Sequence, residues 1–373
     1  MTWAEGEMDA LVFPRARQLE WRRVPIPAEV PGHILVRIDR LGICGTDVHL
    51  FTGDIAYMKN GLSAFPFRPG HEWAGTVEAV APDVTGLAPG DRVVGEPFLS
   101  CGHCEQCRRG RRNQCPTRNE LGVRGDTPGA AAQYLRIPAE NAARFADHVD
   151  PAHAVLCEPL VTVLHALSAT RLESGESVGV IGTGTLGLLA VQVAHHMGAR
   201  VEVLGVSERM NAAVAMGAER AVLVADAIPD RYDVVLEMSG ADGSLAVATR
   251  VARGGGRIAQ VGMPGSELVP IDAVAVVTKG LQISGVLGGI PFLARAVRLL
   301  EQGVVNPEAL VDRQISWRHY DQALDLLMRR ALDRPKVILD FTGPHADSPR
   351  SSFPTSLHPS ARKGDHNRTG SMS

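Results

Sequence analysis

The chain has 373 residues, 45% of them hydrophobic, with a formal net charge of −3 and a pI near 6.5. Such a length predicts two domains of ordinary size with substantial cores. The acidic balance excludes a basic surface built for nucleic acid or anionic membrane, and Met1–Ala10 has acidic residues but no apolar core of a secretory signal.

In chain order, residues 8–13 read as a first strand, 21–31 as a Pro-rich irregular stretch and 34–38 as a second strand. Cys44-Gly-Thr46-Asp47-Val-His49 follows where that strand ends. A loop with Gly53, Gly61, Pro66 and Pro69 leads to Gly70-His71-Glu72, then a strand over 73–80, turn chemistry over 83–91 and a short strand over 92–95. The region before residue 150 is therefore expected to be β-rich. Cys44, His71 and the neighbouring carboxylates supply thiolate, imidazole and carboxylate, the donor set of a catalytic zinc site with one open position. Cys101, Cys104, Cys107 and Cys115 give C-x2-C-x2-C-x7-C. Four thiolates on so short a loop can close a structural zinc shell. Arg108, Arg109, Arg111 and Arg112 between the last two cysteines read as a solvated face, because no basic or aromatic stripe extends them.

Glu158 lies beside an apolar run, where a carboxylate is costly unless paired or coordinated, which makes it a candidate third zinc ligand. Cys157 is the rival, since a second thiolate would give a Cys2His site; its other reading is a small buried apolar residue. Residues 177–181 form a buried-strand pattern followed by Gly182-Thr183-Gly184-Thr185-Leu186-Gly187, a helical stretch to about 197 and a strand over 201–206. In this setting G-x-G-x-x-G marks a dinucleotide site. Gly182 permits the turn, Gly184 the approach of a pyrophosphate and Gly187 close packing of helix on strand. The uncharged run 177–199 is studded with glycines and reads as strand, turn and helix rather than a membrane span. Helices are expected over 211–216, 244–251 and 292–302, with strands over 221–224, 233–238, 257–262 and 281–286. That alternation predicts a doubly wound parallel sheet. The pattern is mixed after Val304, with a helix over 320–330 and a strand over 336–341. Residues 343–373 are too poor in large apolar side chains to bury a core and read as disordered.

NAD enzymes carry an acid about 20 residues beyond the glycine motif, at the end of the second strand. Here Glu202 comes too early and the strand ends in Gly205-Val206. Ser207 and Arg209 could instead hold a 2′-phosphate, which favours NADP(H) over NAD(H). Glu208 is the acid that would reverse the preference.

These motifs, in this order, resemble the medium-chain zinc-dependent alcohol dehydrogenase family over residues 8–342, and Glu158-Pro159-Leu160 is similar to its polyol and threonine dehydrogenase branch. The resemblance implies an α/β chain: a β-rich GroES-like catalytic domain over 1–160 with a zinc lobe at 98–116, completed by 304–342, and a Rossmann domain over 161–303. It implies two zinc ions per chain. Cys44 and His71 would hold the catalytic one, with Glu158, in preference to Cys157, as the third ligand or holding one through a water, and Glu72 would be a near ligand able to enter the shell. Asp47 would hydrogen-bond the free nitrogen of His71, Thr46 would accept the substrate proton, His49 would pass it to solvent, and Thr162 would touch the nicotinamide. Zinc would supply the Lewis acidity for hydride exchange between an alcohol or ketone and the cofactor. The substrate expected is a polyol, sugar, cyclitol or amino alcohol, with Tyr57, Met58, Lys59 and Asn60 on a polar pocket loop; the alternative is a hydrophobic secondary alcohol. A cytoplasmic homodimer or homotetramer without nucleic-acid or membrane partners is expected. A nucleic-acid-binding zinc protein conflicts with the charge. A zinc-free quinone or enoyl reductase would lack Cys44, His71 and the cysteine lobe. A non-catalytic relative would be separated by a hydride-transfer assay.

Overall fold

A computed structural model describes residues 3, 5–206, 209–288 and 291–343. Ser207, Glu208 and the expected tail from Pro344 onward lie outside the described residues. Two sheets organise the chain. The first has seven strands around His33–Ile43, which pairs antiparallel with Glu72–Val80 on one side and with Lys336–Asp340 on the other. Val311–Ser316 adds parallel to Lys336–Asp340. Tyr134–Pro138 adds antiparallel to His33–Ile43, and Arg92–Gly95 and Ala142–Arg144 extend the far side. The segment after 304 therefore returns to the sheet begun near residue 33. Its core gathers Phe13, Trp73, Trp317 and Tyr320, all essentially buried.

The second sheet has six parallel strands in the order Arg220–Leu223, Arg200–Gly205, Ser177–Ile181, Tyr232–Glu237, Ala252–Gln260 and Gln282–Gly285. The order reverses beside Ser177–Ile181, the switch point at which doubly wound sheets open a binding crevice. Central strands covered on both faces need unbroken apolar runs, and Tyr232–Glu237 is buried along its whole length. Glu237, Glu202 and Asp233, the acids in these strands, are satisfied internally, Asp233 accepting from the Ser177 N–H and hydroxyl. Glu237 accepts from the Ser239 and Gly240 backbone N–H groups, and Glu202 accepts from Arg231 and the Tyr232 hydroxyl.

Sequence and structure differ in three segments. Glu20–Pro25, within the stretch read as irregular, is a strand paired antiparallel with Glu7–Val12, and its Pro25 stands at the end of the strand, where a missing N–H costs little. Ala273–Thr278 is a helix within a stretch given no element, although Val and Thr dominate it; Asp272 caps it by accepting from Ala275 N–H at 2.9 Å. Val311–Ser316 is an edge strand in the stretch read as mixed, and its exposed Arg313 and Gln314 erase the apolar alternation. Among the described residues one helical stretch, Pro151–Ala169, is long and apolar enough to cross a membrane, and 67% of it is buried inside the protein.

Candidate active site

The strand His33–Ile43 ends one residue before Cys44, which caps the helix Gly45–Thr52. Cys44 Sγ accepts from Thr46 N–H at 3.3 Å, and Asp47 Oδ2 accepts from Cys44 N–H at 3.0 Å. This capping box aims the helix N-terminus at a sulfur that must be anionic to bind a metal. The neighbouring strand Glu72–Val80 carries His71 at its entry, and His71 Nε2 lies 3.2 Å from Cys44 Sγ. Glu158, in the first turn of the helix Cys157–Ala169, joins His71 and Glu72 in a group whose ligand atoms all lie within 4.8 Å of one another. Cys44, Asp47 and His71 form a second such group, so the two share His71.

Three carboxylates and a thiolate around one imidazole are an arrangement that calls for a cation. The titration directions agree. Burial pushes the Glu158 carboxyl up to about 7 against the pull of His71. Burial opposes charge on His71 as well, yet Cys44, Asp47 and Glu158 outweigh it and hold the imidazole well above its ordinary value. His71 Nδ1 and Asp47 Oδ1 are buried and lack hydrogen-bond partners. The donor chemistry thus fits a zinc ion held by Nε2, Sγ and carboxylate. Cys157 is buried in the apolar core, its thiol is pushed far up by burial, and it joins no metal-ligating group among the described residues.

One expected contact takes a different form. Asp47 Oδ1 stands 3.7 Å from His71 Nδ1, too far for a hydrogen bond, because Oδ2 is committed to the Cys44 N–H. Four further residues were not singled out from the sequence. Lys336 is 1% exposed and its Nζ donates to Glu72 Oε2 at 2.5 Å, with the Ile43 carbonyl at 3.4 Å. A Cβ at Gly42 would strike the same Glu72 oxygen, so Gly42 makes room for the pair. The Tyr320 hydroxyl is buried without a partner, and burial, with Asp47 and Cys44 nearby, raises its pKa well above the ordinary phenol. Glu96 is buried at the end of Arg92–Gly95, and burial pushes its carboxyl up to about 8 despite Arg112. Thr46 is half-buried beside the sulfur, while His49 is exposed in the last turn of the helix. On the pocket loop, the Tyr57 hydroxyl donates to Glu120 at 3.1 Å, and Lys59 and Asn60 are exposed.

Cys101, Cys104, Cys107 and Cys115 place their sulfurs within 4.8 Å of one another. Cys101 lies 3.9 Å from Cys107 and 3.6 Å from Cys115. A tetrahedral shell with Zn–S of about 2.3 Å has edges of roughly 3.8 Å, so the four sulfurs fit one closed site. Asn113, inside this lobe, donates to the Leu287 carbonyl at 2.6 Å.

The nucleotide side centres on Gly182, whose φ of +114° only glycine adopts freely. Gly184 caps the helix Thr185–His196 and has open space where a Cβ would sit. A Cβ at Gly187 would strike the Gly182 carbonyl, so helix and strand pack with no room for a side chain. Leu186 is half-buried in the first turn of that helix, and Thr162 is half-buried on the helix Cys157–Ala169. A cleft of about 1070 Å³ runs past Gly182, Gly184, Gly205, Arg209 and Arg330. Arg209 donates one Nη2 bond to the Leu332 carbonyl at 3.0 Å. Glu202 does not reach this cleft, being held by Arg231 and Tyr232.

The profile of the alcohol dehydrogenase GroES-like domain matches residues 30–147, and that of the zinc-binding dehydrogenase matches residues 185–302. The chain is 36% identical over 351 residues to an L-threonine 3-dehydrogenase of Anaeromyxobacter dehalogenans, covering 90% of this chain and 99% of that one. Among solved structures, a Sinorhizobium meliloti 1021 protein with NADP bound superposes with a TM-score of 0.82 at 30% identity, over 90% of this chain and 99% of that one. The alcohol dehydrogenase TADH of Thermus sp. ATN1 gives a TM-score of 0.81 at 30% identity, over 89% of this chain and 99% of that chain.

Proposed function

The chain belongs to the medium-chain zinc-dependent alcohol dehydrogenase family and is an oxidoreductase acting on small-molecule alcohols with a nicotinamide cofactor, and from that premise we propose a polar secondary alcohol, an amino alcohol first, as substrate and Cys44, His71 and Glu158 as the ligands of its catalytic zinc. The observation that carries the reading is the convergence of these donors around His71. The similarity to an L-threonine 3-dehydrogenase supports the amino-alcohol class. Zinc, when bound, supplies the Lewis acidity that lets a substrate hydroxyl lose its proton near neutral pH. Thr46, half-buried beside Cys44, takes that proton, and exposed His49 releases it to solvent. The Gly182–Gly184 turn and the helix N-terminus behind it receive the cofactor pyrophosphate, with Thr162 beside the nicotinamide. A panel of amino alcohols, polyols and hydrophobic secondary alcohols tests the substrate class. The highest kcat/KM on a hydrophobic alcohol refutes it.

The domain division proposed is a catalytic part over 1–160 and 304–342 and a nucleotide part over 161–303. A second zinc sits in the four-cysteine lobe. Mild chelation is expected to remove zinc in two phases, the open site first and the closed thiolate site later. A single phase with one zinc per chain overturns the two-site reading. Reloading of the open site is expected to tighten as pH rises through about 7, because Glu158 must lose its proton to bind.

NADP(H) is the preferred cofactor. Among the described residues no acid at the end of the strand Arg200–Gly205 is free for a ribose, Glu208 lying outside them, and Arg209 and Arg330 border the cleft there. Charge-assisted bonds to a 2′-phosphate contribute about 1.5–3 kcal/mol, so Arg209→Ala is expected to cost roughly tenfold or more in kcat/KM with NADP(H) and little with NAD(H). A tenfold preference of the parent enzyme for NAD(H) reverses the assignment. A homodimer or homotetramer is proposed from the apolar side chains left exposed just before the edge strand Gln282–Gly285: Leu268 at 91%, Val274 at 71% and Val277 at 80%. All six cysteines are free, which supports a reducing, cytoplasmic setting.

A further inference from the structure

A second cavity, of about 530 Å³, is bordered by Arg22, Leu62, Phe65, Phe67, Arg68 and Asp126 among others. Cys44, Thr46, His71 and Glu158 do not line it. Arg68 is half-buried at its wall, and its Nε is shielded from solvent without any acceptor. The guanidinium makes no ion pair or hydrogen bond among the described residues. Of the comparably sheltered arginines, Arg40, Arg92, Arg112, Arg118, Arg257 and Arg318 face carboxylates, and Arg124, Arg209 and Arg250 donate to backbone carbonyls instead. Arg68 is therefore an exception that needs a cause. Burial alone lowers its pKa, with no carboxylate offsetting it, yet a guanidinium stays charged at any physiological pH. Only Nε is fully shielded, so the outer guanidinium nitrogens stay accessible, and an anion entering the cavity would supply the partner this partly sheltered charge lacks.

The remaining walls narrow the class. Arg22 adds a second guanidinium, already shared with Glu20. Asp126 adds a negative charge, its Oδ1 accepting from Asn119 Nδ2 at 3.0 Å, which repels a dianion more than a monoanion. Leu62, Phe65 and Phe67 offer apolar surface. The geometry points to an accessory binding site in which Arg68 holds the carboxylate of a small organic acid whose apolar part lies on Leu62, Phe65 and Phe67. The planar fork of the guanidinium matches a carboxylate bidentately.

Calorimetric titration of the zinc-loaded full chain with butyrate, acetate, inorganic phosphate and butanol tests the site. Butyrate is expected to bind in the millimolar range or tighter, acetate more weakly and butanol not at all. Arg68→Met is expected to weaken butyrate at least tenfold and to abolish its upward shift of the thermal midpoint. Arg68→Lys is expected to keep part of the binding. Asp126→Asn, a change at an exposed side chain, is expected to tighten phosphate by several-fold. Butyrate binding that is equal in the parent and Arg68→Met, including competitive inhibition at the zinc site, overturns the proposal. Absence of butyrate binding to the parent, or tighter binding of phosphate than of butyrate, overturns it as well.

Discussion

Glu158→Ala is expected to lower kcat/KM by about 10²-fold or more and to strip zinc from the open site under mild chelation. Cys157→Ala is expected to leave both within about twofold. Loss of residues that merely support a metal ligand costs about 10–100-fold, so loss of a ligand itself sits at or beyond the top of that range. Glu158 shares its group with His71 and Glu72, and its proton leaves at about 7, within reach of displacement by a divalent cation. Cys157, one residue earlier on the same helix, turns into the core, where its thiol is surrounded by apolar side chains. Truncating it removes about one buried heavy atom, worth roughly 1 kcal/mol of stability. Zinc content and steady-state rates of the two variants separate the roles. A zinc-free Cys157→Ala beside a zinc-replete Glu158→Ala would assign the ligand to the wrong residue.

The parts of the site that could be read beforehand are those with a local signature. Cys44, His71 and the cysteine lobe declare themselves by residue type and spacing, and Gly182 to Gly187 by their place between a strand and a helix. The Cys44-x-x-Asp47 spacing carries a second signal. It is the spacing of a capping box, and that box draws Asp47 Oδ2 to the Cys44 N–H rather than leaving both oxygens for His71. Other features have no local signature. Val311–Ser316 hides as a strand because an edge position tolerates Arg313 and Gln314 facing out. Tyr57 looks like a pocket residue until its hydroxyl is seen paired with Glu120, far off in sequence. Lys336 opens a strand in a segment rich in charge, where a lysine ordinarily points to water. Its burial follows from a pairing across 264 residues that no sequence window contains.

That lysine carries the second large effect. Lys336→Met is expected to destabilise the protein by about 3–5 kcal/mol, the cost of leaving one member of a buried ion pair unmatched. Both side chains are almost wholly buried, at 1% and 3% exposure, so solvent screening does not shrink the figure as it would at the surface. Burial pulls the pKa of Lys336 down, but Glu72 and Cys44 outweigh it and hold it above the ordinary lysine value. The sign follows: a raised folded pKa stabilises fully below the unfolded value, about 10.4, and is lost as pH rises through the folded one. The gap in stability between the parent and Lys336→Met is accordingly expected to hold from pH 6 to 9 and to close only above roughly pH 10.5. Catalysis suffers separately. With the ammonium gone, Glu72 would be left beside His71 and Glu158 without its cation, and its carboxylate would compete with substrate for a zinc ion held there. A fall in kcat/KM of about 10–100-fold is expected, the range seen when support of a metal site is removed. The double change Lys336→Met with Glu72→Gln distinguishes the two effects. It removes both charges, so it should recover most of the lost stability and relieve the competition for the site. Denaturant titration and steady-state kinetics of the single and double variants measure the coupling. A Lys336→Met protein with the parent's midpoint and the parent's rates would mean that the pair supports neither the fold nor the site.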